Sequence, residues 1–369
     1  MTTIRRVPFL DLRVTDPRER EVLLQAIDAV FQHGRLVMGP ELEQLEQKVA
    51  ESCGRPYAVG VNSGTDALYL GLRALGYGPG DEVITTSLSW IATANAIALT
   101  GATPVFADIR DDLNIDPASI ARLITPRTRA ILPVHYTGKI CDMPEILRLA
   151  RRYHLAVIED ASQAFGARLG GQPAGSFGQI ACFSMNPMKV FAACGEAGIV
   201  VTDEPELQQR LQRLRYNGTV NKEVCLEPSL NGRLDTLQAA ILLKRLERVP
   251  QVIAGRRQVA AWYDEWLAAV VRTPSRAPEQ EDVYYTYTIQ AERRDELKEY
   301  LAARGIETKV QHPILMPRQP AYETGVRGEF TRADHLVKRI LCIPAHEKLR
   351  REDAEYVAGC IRSFYQDKI

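Results

Sequence analysis

The chain has 369 residues, of which 46% are hydrophobic and 25% are charged, and its 46 basic residues balance its 46 acidic ones. This composition excludes a disordered or collagen-like chain, and the zero net charge argues against a nucleic-acid partner, because no basic field exists to attract phosphates. The seven cysteines show no paired spacing, so neither a disulfide framework nor a metal site is indicated. No apolar run is typical of a signal peptide or a membrane span, and we therefore expect a cytoplasmic protein without a membrane partner.

The first part of the chain predicts two amphipathic helices followed by alternating strands and helices. Apolar residues recur at helical spacing over residues 18–32 and 40–52. From residue 57 onward, short apolar runs alternate with helical stretches, which is typical of βα units around a mainly parallel sheet. The pattern therefore predicts an α/β fold.

The segment from Asn62 to Leu68 indicates an anion site. It joins an apolar strand to an alanine- and leucine-rich helix through a turn of small residues that includes Gly64 and Thr65. Backbone N–H groups at such a helix start can approach a phosphate closely, and the helix dipole favours its negative charge. An ordinary helix start capped by Ser63 or Thr65 remains the alternative.

Lys189 occupies a short bend between two apolar stretches, 180–183 and 199–202. Burial would lower the pKa of this lysine and make its neutral amine a nucleophile toward an aldehyde. Upstream, an apolar strand ends on Glu159 and Asp160, where α/β sheets place catalytic groups. Taken alone, Lys189 could be an ordinary surface lysine and Asp160 a helix cap. Taken together, a lysine and an aspartate are the two groups that pyridoxal phosphate (PLP) requires.

Trp90 follows a serine-rich turn at the end of another predicted strand. Its ring could stack on a flat cofactor, or it could pack in the core.

Further helices and one strand follow the lysine segment, and those after residue 249 are predicted to form a smaller α+β unit. We predict helices over 205–216, 235–248, 252–271, 294–304 and 350–365, a polar loop over 217–232 and a half-buried strand over 284–289. Pro250 breaks the helical pattern, so we place a domain boundary near residue 249. Residues 1–249 would form a large PLP-binding domain with the N-terminal helices, and residues 250–369 a small domain.

Five ordered motifs resemble the DegT/DnrJ/EryC1/StrS family of PLP-dependent sugar aminotransferases. They lie at residues 62–68, 93–97, 159–163, 183–196 and 231–240. The resemblance implies a fold-type I, aspartate aminotransferase-like architecture with a mainly parallel large-domain sheet. It also implies a homodimer with active sites at the subunit interface.

The resemblance assigns roles to individual residues. Lys189 would form a Schiff base with the cofactor, and Asp160 would pair with its pyridine nitrogen. Gln163 would lie near the ring face or the phenolic oxygen, and Trp90 would take the place of the family's stacking aromatic. The phosphate would be bound by Gly64, Thr65 and Ser184 and by Asn231 of the neighbouring subunit. Arg233 and His312 would meet the sugar nucleotide. An ion pair with Asp235 or a dimer contact remains open for Arg233, and a surface or capping role for His312.

Three segments depart from the family pattern. Residues 185–188 differ from the family's usual sequence just before the lysine. Ala197 replaces a glycine behind the lysine, and residues 308–313 differ from the family's usual sequence around its histidine. The expected reaction moves an amino group from glutamate to a keto-sugar, most simply a nucleotide-linked 3- or 4-keto-deoxysugar. A keto-inositol aminotransferase and a PLP-binding protein without turnover are the alternatives, and no metal is expected.

Overall fold

A seven-stranded sheet forms the centre of the protein in this computed structural model, which describes residues 5–324 and 327–366. Its strands are β1 (Tyr57–Val61), β2 (Glu82–Thr86), β3 (Thr103–Ala107), β4 (Thr128–Leu132), β5 (Ala156–Asp160), β8 (Ile180–Ser184) and β9 (Gly198–Thr202), in the spatial order β1-β9-β8-β5-β4-β2-β3. Only β9 runs against its neighbours. The mainly parallel α/β sheet is therefore confirmed.

The remaining strands are short or lie outside this sheet. They are β6 (Arg168–Leu169), β7 (Gln172–Pro173), β10 (Thr219–Val220), β11 (Val224–Cys225), β12 (Gln280–Glu281), β13 (Tyr287–Gln290) and β14 (Ile340–Ile343). The predicted loop over 217–232 thus contains a small hairpin, β10–β11. The predicted strand over 284–289 begins only at Tyr287, because Tyr284 has a φ of 48°, which lies outside the β region.

The helices cover the sheet and build the C-terminal unit. They are α1 (Pro17–His33), α2 (Pro40–Ser52), α3 (Gly64–Ala74), α4 (Ala92–Leu99), α5 (Pro117–Leu123), α6 (Met143–Tyr153), α7 (Pro205–Leu214), α8 (Thr236–Leu246), α9 (Val249–Leu267), α10 (Arg294–Ala302), α11 (Thr331–Leu336) and α12 (Arg351–Gln366). Helix α9 begins three residues before the predicted 252. Pro250 starts this helix rather than breaking it, because a proline in the first turn forfeits no intrahelical hydrogen bond.

The central sheet is buried on both faces. Along β5, Val157 packs into the core cluster on one face and Ile158 into the cluster on the other. Nearly continuous apolar strands are typical of sheets covered on both sides. The polar residues of this sheet therefore concentrate where the strands end.

A separate apolar cluster holds the C-terminal unit together. It joins the second half of α9, including Val259 and Tyr263, to β13, β14, α10 and α12. Val7 also packs here, and its N–H donates to the Gly305 carbonyl at 2.9 Å. The N-terminal segment thus contacts the C-terminal unit, and the domain boundary near 249 stays a prediction.

Across residues 5–324 and 327–366, every helix falls short of the length and apolarity needed to cross a membrane. The cytoplasmic location stays a prediction.

Candidate active site

The carboxyl ends of five strands meet at one edge of the central sheet. Strands β2, β4, β5 and β8 are parallel, and β1 has the same direction as β8 because both are antiparallel to β9. This edge therefore collects the segments after β1 (62–65), β2 (87–90), β4 (133–138), β5 (161–163) and β8 (185–189). The topology explains how residues far apart in sequence come together, and ligands of α/β sheets bind at such edges.

Asp160 ends β5 with its carboxylate held at this edge. The residue is 3% exposed. Its Oδ2 accepts a hydrogen bond from Thr93 Oγ1 at 2.8 Å, and its Oδ1 accepts one from the Ser162 N–H at 3.2 Å. The carboxylate is thus fixed in position while retaining capacity to accept a further hydrogen bond from a ligand.

Glu159 precedes Asp160 and points to the opposite face of the sheet, as alternation along a strand requires. The fully buried carboxylate accepts hydrogen bonds from His135 Nε2 at 3.0 Å and from the N–H groups of Gly175, Phe177 and Gly178, each at 2.8 Å. Burial alone would raise the pKa of Glu159, but the hydrogen bond and charge of His135 and these backbone donors together lower it. Of the two predicted carboxylates, only Asp160 is therefore available to a ligand.

The start of α3 packs directly against the end of β8. A Cβ placed on Gly64 would lie 2.5 Å from the Ser184 Cβ, and one on Gly198 would lie 2.2 Å from the Ser63 carbonyl oxygen. Ser63 caps the helix by accepting from the Asp66 N–H at 3.0 Å. Ser63 is thus the helix cap. The helix start holds Gly64 against Ser184, two of the predicted phosphate ligands, and Thr65 follows Gly64 in the first turn of α3.

Lys189 lies on the predicted bend, and hydrogen bonds define its shape. Its N–H donates to the Asn186 carbonyl at 2.9 Å, and Asn186 Nδ2 donates to Glu196 Oε1 at 2.6 Å. Lys189 Nζ lies 4.6 Å from the centre of the Tyr285 ring. The expectation of a buried lysine is not met in the single chain, where the side chain is half-buried because it borders an open cavity of about 540 Å³.

Gln163 is buried and held by the segment that follows β4. Its Oε1 accepts from the Thr137 N–H at 2.8 Å. Thr137 has a φ of 62°, a left-handed conformation uncommon for a β-branched residue. Since the amide oxygen is used, the NH₂ group of Gln163 is its natural donor toward a ligand.

Trp90 and His312 lie together at the mouth of the site. Trp90 is 62% exposed, which removes the core-packing alternative, and its ring centre lies 6.0 Å from that of His312. His312 Nδ1 lies 3.1 Å from the Tyr136 hydroxyl. Burial, followed by the charges of Lys189 and Lys309, lowers the pKa of His312 to about 3, so this imidazole is neutral at physiological pH.

Asn231 and Arg233 lie beside the anion site but face outward. The Asn62 N–H donates to the Gly232 carbonyl at 2.8 Å, which brings their loop next to the start of α3. Arg233 Nε donates to Asn231 Oδ1 at 2.7 Å, and its guanidinium lies 4.4 Å from the centre of the Tyr216 ring. Within the described residues, Arg233 forms no ion pair with Asp235, so that alternative is not observed.

Three residues of the site had no role in the sequence reasoning. Thr93 holds Asp160, Tyr285 contacts Lys189, and Tyr136 contacts His312. Thr93 belongs to the motif at residues 93–97, but the sequence did not indicate that it would hydrogen-bond to Asp160. Tyr285 was assigned to a strand, and nothing in the local sequence of Tyr136 distinguishes it from a core tyrosine.

The residues at this sheet edge match the chemical groups of PLP. The close packing of Gly64 against Ser184 leaves backbone N–H groups at a helix start, which suits a phosphate. Asp160 suits a protonated ring nitrogen and Lys189 an aldehyde. The phosphate, ring and aldehyde partners all stand at the same sheet edge, so the residues fit the cofactor.

This fold and this set of groups define a PLP-dependent aminotransferase of fold type I. The family model described as the DegT/DnrJ/EryC1/StrS aminotransferase family matches residues 17–362. The chain belongs to this family of sugar aminotransferases, and its cofactor is PLP.

Several known proteins are similar to the chain over nearly its full length. It is 42% identical to a dTDP-3-amino-3,4,6-trideoxy-alpha-D-glucose transaminase of Streptomyces venezuelae, covering 97% of this chain and 96% of that protein. It is 40% identical to a UDP-N-acetyl-3-dehydro-alpha-D-glucosamine 3-aminotransferase of Acidithiobacillus ferrooxidans, covering 98% of this chain and 99% of that protein. The crystal structure of S. venezuelae DesV in complex with a ketimine intermediate has a TM-score of 0.94 at 41% identity, covering 97% of this chain and 98% of that one.

Proposed function

We propose that the enzyme transfers the amino group of glutamate to carbon 3 of a nucleotide-linked keto-sugar. The observation that carries the proposal is the meeting of Lys189, Asp160 and the start of α3 at one sheet edge. The names of both relatives place the amino group on carbon 3 of a sugar nucleotide, one with dTDP and the other with UDP. This likeness favours a nucleotide sugar over a keto-inositol and favours turnover over simple cofactor binding.

In the proposed mechanism, PLP supplies an aldehyde for the amino group and a ring that accepts electrons. The Asp160 carboxylate, fixed by Thr93, keeps a proton on the ring nitrogen, because an adjacent negative charge favours the charged form. Lys189 Nζ would take the proton from the donor's α-carbon as a general base and later donate a proton as a general acid. Gly64, Thr65 and Ser184 hold the phosphate, while Gln163 and Trp90 hold the ring.

His312, which is neutral, and Arg233, which is charged, are proposed to contact the keto-sugar nucleotide. His312 Nδ1 is engaged by Tyr136, so Nε2 is the nitrogen that remains for a sugar hydroxyl or carbonyl. Arg233 carries its charge beside the anion site, where a nucleotide phosphate would need it. Because the two substrates would use the site in turn, ping-pong kinetics are expected.

We further propose a homodimer with shared active sites. Asn231 is exposed, Lys189 is only half-buried, and apolar side chains near the end of α1 face solvent, with Phe31 61%, Leu36 47% and Val37 41% exposed. A second copy covering this region would bury them and bring its own Asn231 to the phosphate. Mixing Asn231→Ala with Lys189→Ala protein tests this. Shared sites restore partial activity, whereas independent sites leave the mixture as inactive as its components.

The catalytic proposal is tested with purified protein, PLP and glutamate, by following the cofactor absorbance and the formation of 2-oxoglutarate. A panel of dTDP- and UDP-linked 3-keto and 4-keto sugars, with keto-inositols, is then read by product mass. We expect a 3-amino nucleotide sugar. If the wild type and Lys189→Ala give the same traces, the enzyme proposal is wrong.

A further inference from the structure

A narrow cleft lies between Tyr285 and His346, next to the residue that precedes the lysine. Its volume is about 30 Å³, and Met188 and Arg256 line both this cleft and the larger cavity that contains Lys189. Tyr285, whose ring contacts Lys189 Nζ, forms one wall. The cleft is therefore a side chamber of the candidate active site.

Polar atoms without partners line this chamber. His346 is 4% exposed, and both of its ring nitrogens lack a hydrogen-bond partner among the described residues. The same holds for Nε of the buried Arg256, whose Nη1 donates to both the Tyr284 and Tyr285 carbonyls at 3.2 Å. Buried polar groups left unpaired are costly. Arg256 Nε and, in a neutral imidazole, one ring nitrogen of His346 are donors, so two buried donors of this chamber have room for a hydrogen-bond acceptor.

The chamber is also cationic. Arg256 and Lys309 are its charged lining residues, and no aspartate or glutamate of the described ranges lines it. Glu347, which lines the larger cavity, pairs with Arg256 Nη2 at 3.3 Å. The Lys309 ammonium belongs to an exposed residue and pairs with no carboxylate in residues 5–324 and 327–366.

The chamber lies close to the reacting amine. The charges of Lys189 and Lys309 both lower the pKa of the His312 imidazole, so both ammonium groups act on the same ring. A space of this size holds about two oxygen-sized atoms, since a single water needs roughly 10–15 Å³ of such volume. That matches one carboxylate and is too small for a nucleotide diphosphate.

We propose that this chamber binds a carboxylate of the amino donor, with Lys309, Arg256 and His346 as its ligands. The inference rests on the proposed function, because it assigns the donor subsite of the same active site. The carboxylate supplies acceptors for the unpaired donors and a charge for the unpaired ammonium. Both the α-carboxylate and the side-chain carboxylate of glutamate have this chemistry.

The first test measures binding without turnover. Glutarate, a dicarboxylate without an amino group, is titrated into the PLP-loaded enzyme by calorimetry, using wild type, Lys309→Gln and, as control, Lys298→Gln, which changes an exposed lysine of α10. We expect glutarate affinity to fall about ten-fold in Lys309→Gln, as for loss of a charged hydrogen bond, and to stay unchanged in the control. Equal affinity in all three proteins overturns the proposal.

The second test separates donor from acceptor. In Lys309→Gln, KM for glutamate should rise about ten-fold while KM for the keto-sugar stays constant. Glutamine as the amino donor then identifies which carboxylate binds. If KM rises equally for glutamate and glutamine, Lys309 binds the α-carboxylate; if KM rises for glutamate alone, Lys309 binds the side-chain carboxylate. A rise in the keto-sugar KM alone overturns the proposal. If no keto-sugar is aminated but glutarate still binds through Lys309, the proposed function fails and the donor subsite stands.

Discussion

The two faces of the sheet at the end of β5 differ in how completely their carboxylates are paired. On one face, Glu159 is saturated by four hydrogen bonds and shielded from water. On the other, Asp160 has one side-chain and one backbone donor, and Lys189 has no carboxylate partner in the described chain. Neighbouring residues of one strand can therefore have separate roles, one carboxylate stabilising the fold and the next remaining able to bind a ligand.

Lys189→Ala should abolish the chemistry on the Asp160 face of the sheet, here called the reactive face, without affecting the Glu159 face. We expect transamination to fall about 1,000-fold, because the residue that moves the proton is lost. The free energy of unfolding without cofactor should change by less than about 1 kcal/mol, since the side chain is half-buried and unpaired. Kinetics and urea denaturation of the same preparation measure both, and a large loss of stability would contradict the division.

Asp160→Asn and Glu159→Gln form a matched pair, because each replaces a carboxylate by an amide on adjacent residues. Asp160→Asn should lower kcat about 100-fold with little loss of stability, since the amide oxygen still accepts from Thr93 while the charge at the ring nitrogen is lost. Single-turnover kinetics with glutamate measures this. Unchanged kinetics would show that Asp160 does not face the ring nitrogen.

Glu159→Gln should give the reverse result. An amide cannot accept all four hydrogen bonds, and we expect a loss of about 2–4 kcal/mol in stability with kcat within a few-fold of wild type at low temperature. Because the folded-state pKa of Glu159 is lowered, its contribution is complete above the ordinary value of 4.5 and is lost as pH falls through the folded-state value. Denaturation curves of wild type and Glu159→Gln at several pH values test this, and the stability difference between them should shrink in acid. A Glu159→Gln protein as stable as wild type at neutral pH would contradict the prediction.

Gly64→Ala should weaken the anion site. The added Cβ would lie 2.5 Å from the Ser184 Cβ, so either the start of α3 or the end of β8 must move. We expect the dissociation constant of PLP, measured by fluorescence quenching, to rise about ten-fold, corresponding to roughly 1.4 kcal/mol. Gly359→Ala is the control, since its Cβ would meet open space. Equal cofactor affinity in the two variants would argue against a phosphate at this helix start.

The smallest effect concerns His312. Because the pKa of His312 is about 3 in the folded protein and 6.5 in the unfolded chain, only the unfolded chain binds a proton there between these two pH values. The stability of the folded protein should therefore decrease as pH falls from 6.5 toward about 3. NMR titration of the imidazole, assigned with His312→Gln, should show no protonation at neutral or mildly acidic pH. A titration near 6.5 would contradict the neutral assignment.

Much of the reactive face was predictable from sequence, because each residue stands at a predicted strand end. Lys189, Asp160 and Gly64 fall where the α/β pattern places ligand-binding segments. The pairing of Glu159 with His135, the Tyr285 contact and the unpaired nitrogens of His346 were not predictable, since they join segments distant in sequence. Likewise, the antiparallel β9 and the packing of Val7 against the C-terminal unit depend on tertiary contacts that local periodicity does not encode.

The proposed function requires Lys189 to bond covalently to the cofactor. Borohydride reduction of the PLP-loaded protein, followed by proteolysis and mass spectrometry of the peptides, tests it most directly. We predict one pyridoxyl-modified lysine, at position 189, and none in Lys189→Ala. A folded, PLP-saturated protein whose Lys189 peptide stays unmodified, or whose label lies on another lysine, would contradict the account.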